Sequence, residues 1–555
     1  MIKLTNKELA ELMFPNITKT IEDYEKEYPK RNLPEGAVVS RYAPSPTGFV
    51  HMGNMLSCFI ENKLPKQTNG VFYLRIEDTD QKREIEGGID SIVNAIKMLG
   101  LEYNEGIISP TEQKGNYGPY IQSKRKDIYD TFVKYLIENG MAYPCFCNAN
   151  ELDEIREKQK KTKDRIGYYG QYARCRYLDN EERAQKIKAG IPYTIRLKST
   201  GNYDKKIQFK DLVKGNVTFP ENDQDIVLVK SNGIPVYHFA HVVDDHLMRT
   251  THVLRGEDWL SSVPVHIELF KKFGFEQPKY AHLGLIMIVD SNGVKRKISK
   301  RKDIDFTVES YHRRGYPTVA LQEYLMTIAN TNFESWRIAN PDTSLDEFEF
   351  SFSKVGSSPL FDTAKLINIS KNCISKMKAV ELYGNLLEWT KEYDYEFYNL
   401  LNENKDYSIK VLNIEREQKK PRKDFSNYAD VKKMNWYMFK KLFNEYKKEY
   451  QWQNIKDMNE IKMILNDYIN NYYSDEDNKD IWFNKIKEVA VKYGYASNMK
   501  EYKENPDNYK GSVADISTVL RVALTSKSMT PDLYEIMKLL GKNRIIERIN
   551  NLLKK

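Results

Sequence analysis

The chain has 555 residues, enough for three or four domains at the usual ~150 residues each, so buried cores rather than disulfides or metal staples carry its stability. With 41% hydrophobic, 12% aromatic and 30% charged residues it is an ordinary globular sequence, which excludes collagen-like, mucin-like, membrane-embedded and intrinsically disordered classes. Lys+Arg 86 against Asp+Glu 78 leaves a formal charge of +8, which admits a nucleic-acid partner without requiring one.

The first 36 residues read as a charged helical pre-segment closing at Pro34-Glu-Gly36. They lack the continuous apolar core of a signal peptide, and no later stretch approaches the ~20 apolar residues of a membrane helix. Five cysteines, Cys58, Cys145, Cys147, Cys175 and Cys373, form an odd and sparse set suited to a reducing compartment, so a cytoplasmic location without a membrane partner is expected. VVSRY then reads as a strand stopped by Pro44, Pro46 and Gly48, followed by a helix over about 52–66. VFYLRIED (71–78) reads as a second strand and SIVNAIKMLGL (91–101) as an amphipathic helix, the rhythm of a parallel α/β sheet.

A segment rich in Lys, Arg and Tyr, 116–224, reads as an insertion splitting that sheet domain. The rhythm resumes in DIVLVKSNGIPVYHFAHVVDDHLM, read as two strand-like runs around a Ser-Asn-Gly turn, and in THVLRGED (251–258). YAHLGLIMIVD, a turn at Asn292-Gly293 and the basic run Lys295–Lys302 follow. Beyond about 303 the pattern is mostly helical. In the last stretch Leu533, Ile536, Met537 and Leu540 share a face, Gly541 interrupts, and Ile545, Ile546, Ile549, Leu552 and Leu553 continue.

Two motifs carry chemistry. The first is the strand, Pro turn and His51-Met-Gly53 segment, which places a histidine and a glycine where a helix N-terminus presents free N–H groups to a polyphosphate. Gly53 would let a nucleotide approach the backbone. The second is Lys297-Ile-Ser299-Lys300-Arg301, a loop whose ammonium groups would neutralise a developing pyrophosphate. Neither a Walker P-loop nor a strand-borne G-x-G-x-x-G is present.

RYAPSPTGFVHMGN and KISKR resemble the paired HIGH and KMSKS signatures of class I aminoacyl-tRNA synthetases. RIEDTD (75–80), YHFAHVVDDHLM (237–248) and LRGEDWL (254–260) are similar to the glutamyl-tRNA synthetase branch, strongly over 38–375, weakly over 376–510, and again over 520–541. The resemblance implies an α/β fold: a class I Rossmann-type parallel-sheet catalytic domain split by an α/β insertion, then an all-helical C-terminal anticodon-binding region. The implied segments are an N-terminal helical extension (1–36), catalytic halves (37–115 and 225–302), an acceptor-stem-binding insertion (116–224), a helical stem-contact domain (303–375) and the anticodon region (376–555). The implied activity is ATP- and Mg2+-dependent ligation of L-glutamate to tRNA-Glu through glutamyl-adenylate by a monomer, with tRNA-Gln left open as a second acceptor. The alternatives are a glutaminyl enzyme, a small-metabolite adenylyltransferase and a non-catalytic tRNA-binding paralogue.

Residue by residue, the resemblance assigns His51, Lys297 and Lys300 to catalysis, and His51, Gly53, Lys297, Ser299, Lys300 and Arg301 to ATP. Glutamate has two carboxylates and one amine. Arg41 and Arg255 match the family's paired arginines, whose guanidinium groups suit carboxylates. Glu77 matches its amine acceptor, and Ser45 and Tyr237 complete the polar wall. Arg255, and a Ser rather than Glu in the PSP turn, favour glutamate over glutamine, because a neutral amide would leave a buried Arg unpaired. His241 stands where many members have Asn, and Asn54 ends the first motif where His is usual.

Some relatives hold structural zinc in the insertion. Cys145-x-Cys147 and, 28 positions later, Cys175, with Tyr172 as an oxygen ligand, are the matching set. Three reduced, metal-free thiols are the alternative. Residues 416–448 carry eleven Lys/Arg and four Asp/Glu, a net +7, interleaved with Phe425, Tyr428, Trp436, Tyr437, Phe439, Phe443 and Tyr446. That mixture suits an RNA surface, and equally a helix with aromatics inside and lysines in water.

Overall fold

The computed structural model describes residues 4–80, 82–299 and 302–554. Residues up to Tyr311 with Leu321–Asp362 form one compact unit, and His312–Ala320 with Thr363 onward form a second.

In the first unit the pre-segment is two short helices, α1 (Asn6–Met13) and α2 (Ile21–Glu27). Each opens on a threonine capping box, Thr5 with Glu8 and Thr20 with Asp23, which satisfies backbone N–H groups that the helix itself leaves open. The chain then alternates strand and helix: β1 (Val39–Tyr42), α3 (Met52–Thr68), β2 (Val71–Leu74), α4 (Gly88–Met98) and β3 (Glu105–Ser109), with β4 (Glu112–Lys114) antiparallel on β3. β1 and β2 are buried at every position, as strands covered on both faces must be. β1 pairs β2 in parallel from Val39↔Val71 to Tyr42↔Leu74, and β2 pairs β3 in parallel.

α5 (Lys126–Glu138), β5 (Ala142–Cys145), α6 (Ala149–Thr162), α7 (Asn180–Lys188), β6 (Thr194–Leu197), β7 (Lys206–Asp211), β8 (Gly215–Pro220) and β9 (Val227–Val229) follow. Strands β5, β6 and β9 make a small antiparallel sheet. The β7–β8 hairpin does not join it. β7 pairs in parallel with β11 (Lys279–Leu283), extending the order β10-β11-β7-β8, where β10 is His252–Gly256. Part of the span read as an insertion therefore builds the edge of the second half-sheet.

The strand expected around Tyr237 is a helix. α8 spans Tyr237–Leu247 and is followed after β10 by α9 (Val263–Phe273). Its Val242-Val243 pair and short apolar runs resemble a buried strand, but Phe239, Ala240, Val243 and Leu247 follow helical spacing and are all buried. Thr251 N–H donates to Val39 O (3.0 Å), setting β10 beside β1. The parallel order is therefore β3-β2-β1-β10-β11, and the connections reverse direction between β1 and β10. In open α/β sheets such a switch point, at the carboxyl ends of the strands, is where ligands bind.

The second unit is helical throughout its described elements. Its core includes Leu382, Leu386, Val431, Tyr437, Leu465, Ile486, Leu520 and Ile536. The last helix, Leu533–Leu553, is interrupted at Gly541, whose φ of 73° suits a residue without a Cβ. Leu533, Ile536, Met537, Leu540, Ile545, Ile549 and Leu552 are buried, as their spacing predicts. Among the described residues no helix is long and apolar enough to cross a membrane.

Candidate active site

The switch point gathers a buried charge network. Arg41, at the end of β1, donates through Nε to Asp245 Oδ1 and Oδ2 (3.2 and 3.3 Å) and through Nη1 to Leu254 O (3.5 Å). Just past β2, Arg75 donates to Asp245 (2.7 Å) and to Glu77 Oε1 (3.1 Å). Asp244 accepts from Arg125 Nε (2.7 Å), Gln122 (2.9 Å) and the Tyr129 hydroxyl (2.8 Å). Burial opposes ionisation of Asp245, but Arg41 and Arg75 outweigh it and hold its carboxyl well below the usual carboxylate range. Burial pushes the Glu77 carboxyl up, against the pull of Arg75 and Arg41. An incoming ammonium group would oppose that rise.

Arg255, at the end of β10, has different company. Its Nε donates to His282 Nε2 (3.0 Å), Nη1 to the Tyr237 hydroxyl (3.1 Å), and Nη2 to His266 Nδ1 (3.4 Å) and Trp259 O (3.5 Å). It is buried, and among the described residues no carboxylate stands within ion-pairing distance of it. Tyr237, the first residue of α8, stacks on His241 at 5.5 Å, one turn on, and packs against Trp259 at 4.4 Å. His241 is fully buried 2.7 Å from Asp245 Oδ2 and 3.3 Å from the Tyr280 hydroxyl, and burial pushes its imidazole down to about 4. The turn holding Ser45 lies against Glu77, whose N–H donates to Pro44 O (3.0 Å). Arg41, Glu77, Tyr237, His241 and Arg255 thus share one region, with Ser45 at its edge.

His51 is the N-cap of α3, its Nδ1 accepting from Asn54 N–H (3.3 Å). A Cβ on Gly53 would lie 2.9 Å from both Cε1 and Nδ1 of His51, so the glycine makes room for the histidine ring first of all. His51 also bridges the backbone at Thr307, just past the basic loop. That loop leaves a hairpin of β12 (Met287–Val289) and β13 (Lys295–Lys297). Asp303 anchors it, accepting from both Arg296 Nη atoms (2.6 and 2.7 Å) and from Ser299 N–H (2.6 Å). Lys297 is 3.7 Å from Asp258, its side chain 65% exposed. Lys300 and Arg301 lie outside the described residues. The two signature segments therefore meet beside the switch point, as a nucleotide spanning both would need.

A sequence model of the tRNA synthetases class I (E and Q) catalytic domain matches residues 37–367. The chain belongs to this family.

A second model, of an anticodon binding domain, matches residues 499–553 of this class I synthetase. The glutamate–tRNA ligase of Clostridium perfringens (strain 13 / Type A) is 47% identical over 548 residues, covering 98% of this chain and 100% of the relative. That of Sorangium cellulosum (strain So ce56) is 38% identical over 554 residues, covering 95% and 97%. A solved glutamate tRNA ligase from Elizabethkingia meningosepticum CCUG26117, in complex with its amino acid, has a TM-score of 0.74 at 26% identity, covering 93% of this chain and 99% of that one.

In this synthetase Cys145, Cys147 and Cys175 have their sulfurs within 4.8 Å of one another, Cys147 and Cys175 at 3.6 Å. Tetrahedral zinc thiolates would place sulfurs ~3.8 Å apart. The tyrosine among them is Tyr168, its hydroxyl 3.4 Å from Cys145 and 3.3 Å from Cys147. The Tyr172 hydroxyl bonds Asp164 instead, so the oxygen expected from Tyr172 is offered by its neighbour four residues earlier. In 416–448, Tyr428, Trp436, Tyr437, Phe439 and Phe443 are core residues, Phe425 is half-buried against them, and Tyr446 is exposed. Those five aromatics pack the helical unit, and most of the lysines of the stretch stay exposed as candidates for phosphate. Arg75, Asp244 and Asp245 hold this network together, yet no motif role marks them in the sequence. Two adjacent acids in an apolar run were the available signal, since buried charges are held only when paired.

Proposed function

We propose that this synthetase activates L-glutamate with ATP and transfers the glutamyl group to the terminal adenosine of tRNA-Glu. The observation that carries this reading is Arg255, a buried guanidinium surrounded by neutral acceptors and so still in need of an anion. A γ-carboxylate answers that need, and an amide does not. Arg41 and Glu77 stand where the α-carboxylate and amine would bind. ATP extends from the His51 cap to the Lys297–Arg301 loop, with the Ser299 and Gly53 backbones beside it. The α-carboxylate attacks the α-phosphorus, pyrophosphate leaves, and positioning with charge neutralisation supplies most of the rate. Mg2+ accompanying the triphosphate supplies further neutralisation of its charge.

The catalytic halves are assigned to 37–115 and 225–302, acceptor-stem binding to 116–224, stem contact to 303–375 and anticodon binding to 376–555, acting as a cytoplasmic monomer. The three thiols and Tyr168 fit a structural zinc, which would tie β5 to the segment around Cys175. One equivalent of zinc in the purified chain, and a lower Tm after chelation, are expected; a metal-free chain of unchanged Tm contradicts the assignment. The test of the activity is ATP–pyrophosphate exchange with tRNA present. Exchange that depends on glutamate and ignores glutamine supports the reading, and exchange with glutamine alone overturns it. Aminoacylation of tRNA-Gln with labelled glutamate distinguishes one acceptor from two.

A further inference from the structure

The two arginines of the pocket are held by opposite means. Arg41 is paired directly with Asp245, whereas the acceptors around Arg255 are uncharged. The carboxylate behind Arg255 stands one ring away: Arg255 Nε donates to His282 Nε2, and His282 Nδ1 lies 2.6 Å from Asp211 Oδ2.

Proton positions in this chain follow from the donors. An arginine Nε only donates, so His282 Nε2 must accept, and its proton sits on Nδ1 and goes to Asp211. Asp211 is fixed in turn by the hairpin, its Oδ1 accepting from Val213 N–H (2.9 Å), Lys214 N–H (2.8 Å) and His282 N–H (3.3 Å). The sheet sets the alignment. Arg255 and His282 are partners in the parallel β10–β11 register, and Asp211 opposes Tyr280, two residues before His282. All three side chains are buried.

We infer that Asp211 and His282 are positioning residues for side-chain selectivity, holding the Arg255 fork towards the substrate without neutralising it. A carboxylate in place of His282 would compete with the substrate for the guanidinium. A ring lacking Asp211 would be free to take the other tautomer and turn an N–H against Arg255. The inference rests on Arg255 receiving the glutamate side chain, and it adds to that pocket one residue from β7, within the span read as an insertion, and one from β11.

Asp211→Asn is the sharp test. Its amide oxygen is retained by the hairpin N–H groups, so its NH2 faces His282 and forces the proton onto Nε2. His282→Gln keeps an oxygen near the Nε2 position, and His282→Leu removes the acceptor. With full-length chain and tRNA-Glu, Asp211→Asn and His282→Leu should raise the glutamate KM and shrink the glutamate-to-glutamine ratio of kcat/KM by about tenfold or more. The ATP KM should stay within about twofold, and His282→Gln should recover much of the ratio. An unchanged ratio in folded Asp211→Asn, or equal losses in the Gln and Leu variants, would overturn the inference. A wild-type chain inactive with glutamate would overturn the parent reading as well, and is told apart because no variant is needed to see it.

Discussion

Asp245 serves two guanidinium groups at once, and Arg255 serves none of the local acids; this difference sets the expected mutational effects. Asp245→Asn leaves Arg41 and Arg75 sharing a neutral amide in a buried site, and should cost about 3–5 kcal/mol of stability, read by urea unfolding. Arg255→Ala strands the buried acceptors His282 Nε2 and the Tyr237 hydroxyl but also removes a charge with no buried carboxylate partner, so its loss of stability should be smaller than that of Asp245→Asn. Its kcat/KM for glutamate should fall about 100-fold, in line with losing charge-assisted bonds, with discrimination against glutamine lost. Preserved discrimination would contradict the assigned role. His241 adds a pH dependence. Its imidazole titrates near 6.5 when unfolded and near 4 when buried, so between those values the unfolded state binds more protons. Stability should fall as pH drops through that window, with His241 contributing about 3 kcal/mol beside the other buried histidines that burial also pushes down. His241→Asn should remove that share alone, measured as the change it makes to the difference in unfolding free energy between pH 7 and pH 4.5.

At the level of elements, the first half-sheet was legible because Pro44, Pro46 and Gly48 punctuate a buried strand and the helix after them begins on a capping histidine. α8 was not, because Val242-Val243 and the flanking apolar residues satisfy strand and helix patterns alike. Its helical form puts Tyr237 and His241 one turn apart and aims Asp244 at Arg125 and Asp245 at Arg41, with Arg75 between the two acids. The β7–β8 hairpin was hidden for another reason: its pairing with β11 joins residues about seventy positions apart, which no local pattern encodes. Arg41, Glu77, Tyr237, His241 and Arg255 stand at motif positions that the fold brings into one region, whereas His282 and Asp211 depend on sheet register. The α3 cap gives its own prediction. Gly53→Ala must displace the His51 ring, costing about 1 kcal/mol of capping and lowering the adenylation rate without raising the glutamate KM. A normal rate would detach His51 from the nucleotide.

Across the whole molecule, the +8 total says less than its location, since 416–448 alone carries +7. With its aromatics mostly in the core, this stretch should bind RNA through lysines, making tRNA affinity fall steeply with salt. A pocket built around Arg255 should make the chain join glutamate, and not glutamine, to tRNA-Glu. Aminoacylation of purified tRNA-Glu with each labelled amino acid measures it most directly. ATP-dependent glutamyl-tRNA with no glutaminyl-tRNA above background is expected; glutaminyl-tRNA as the main product, or no charging of this tRNA with glutamate, would overturn the assignment.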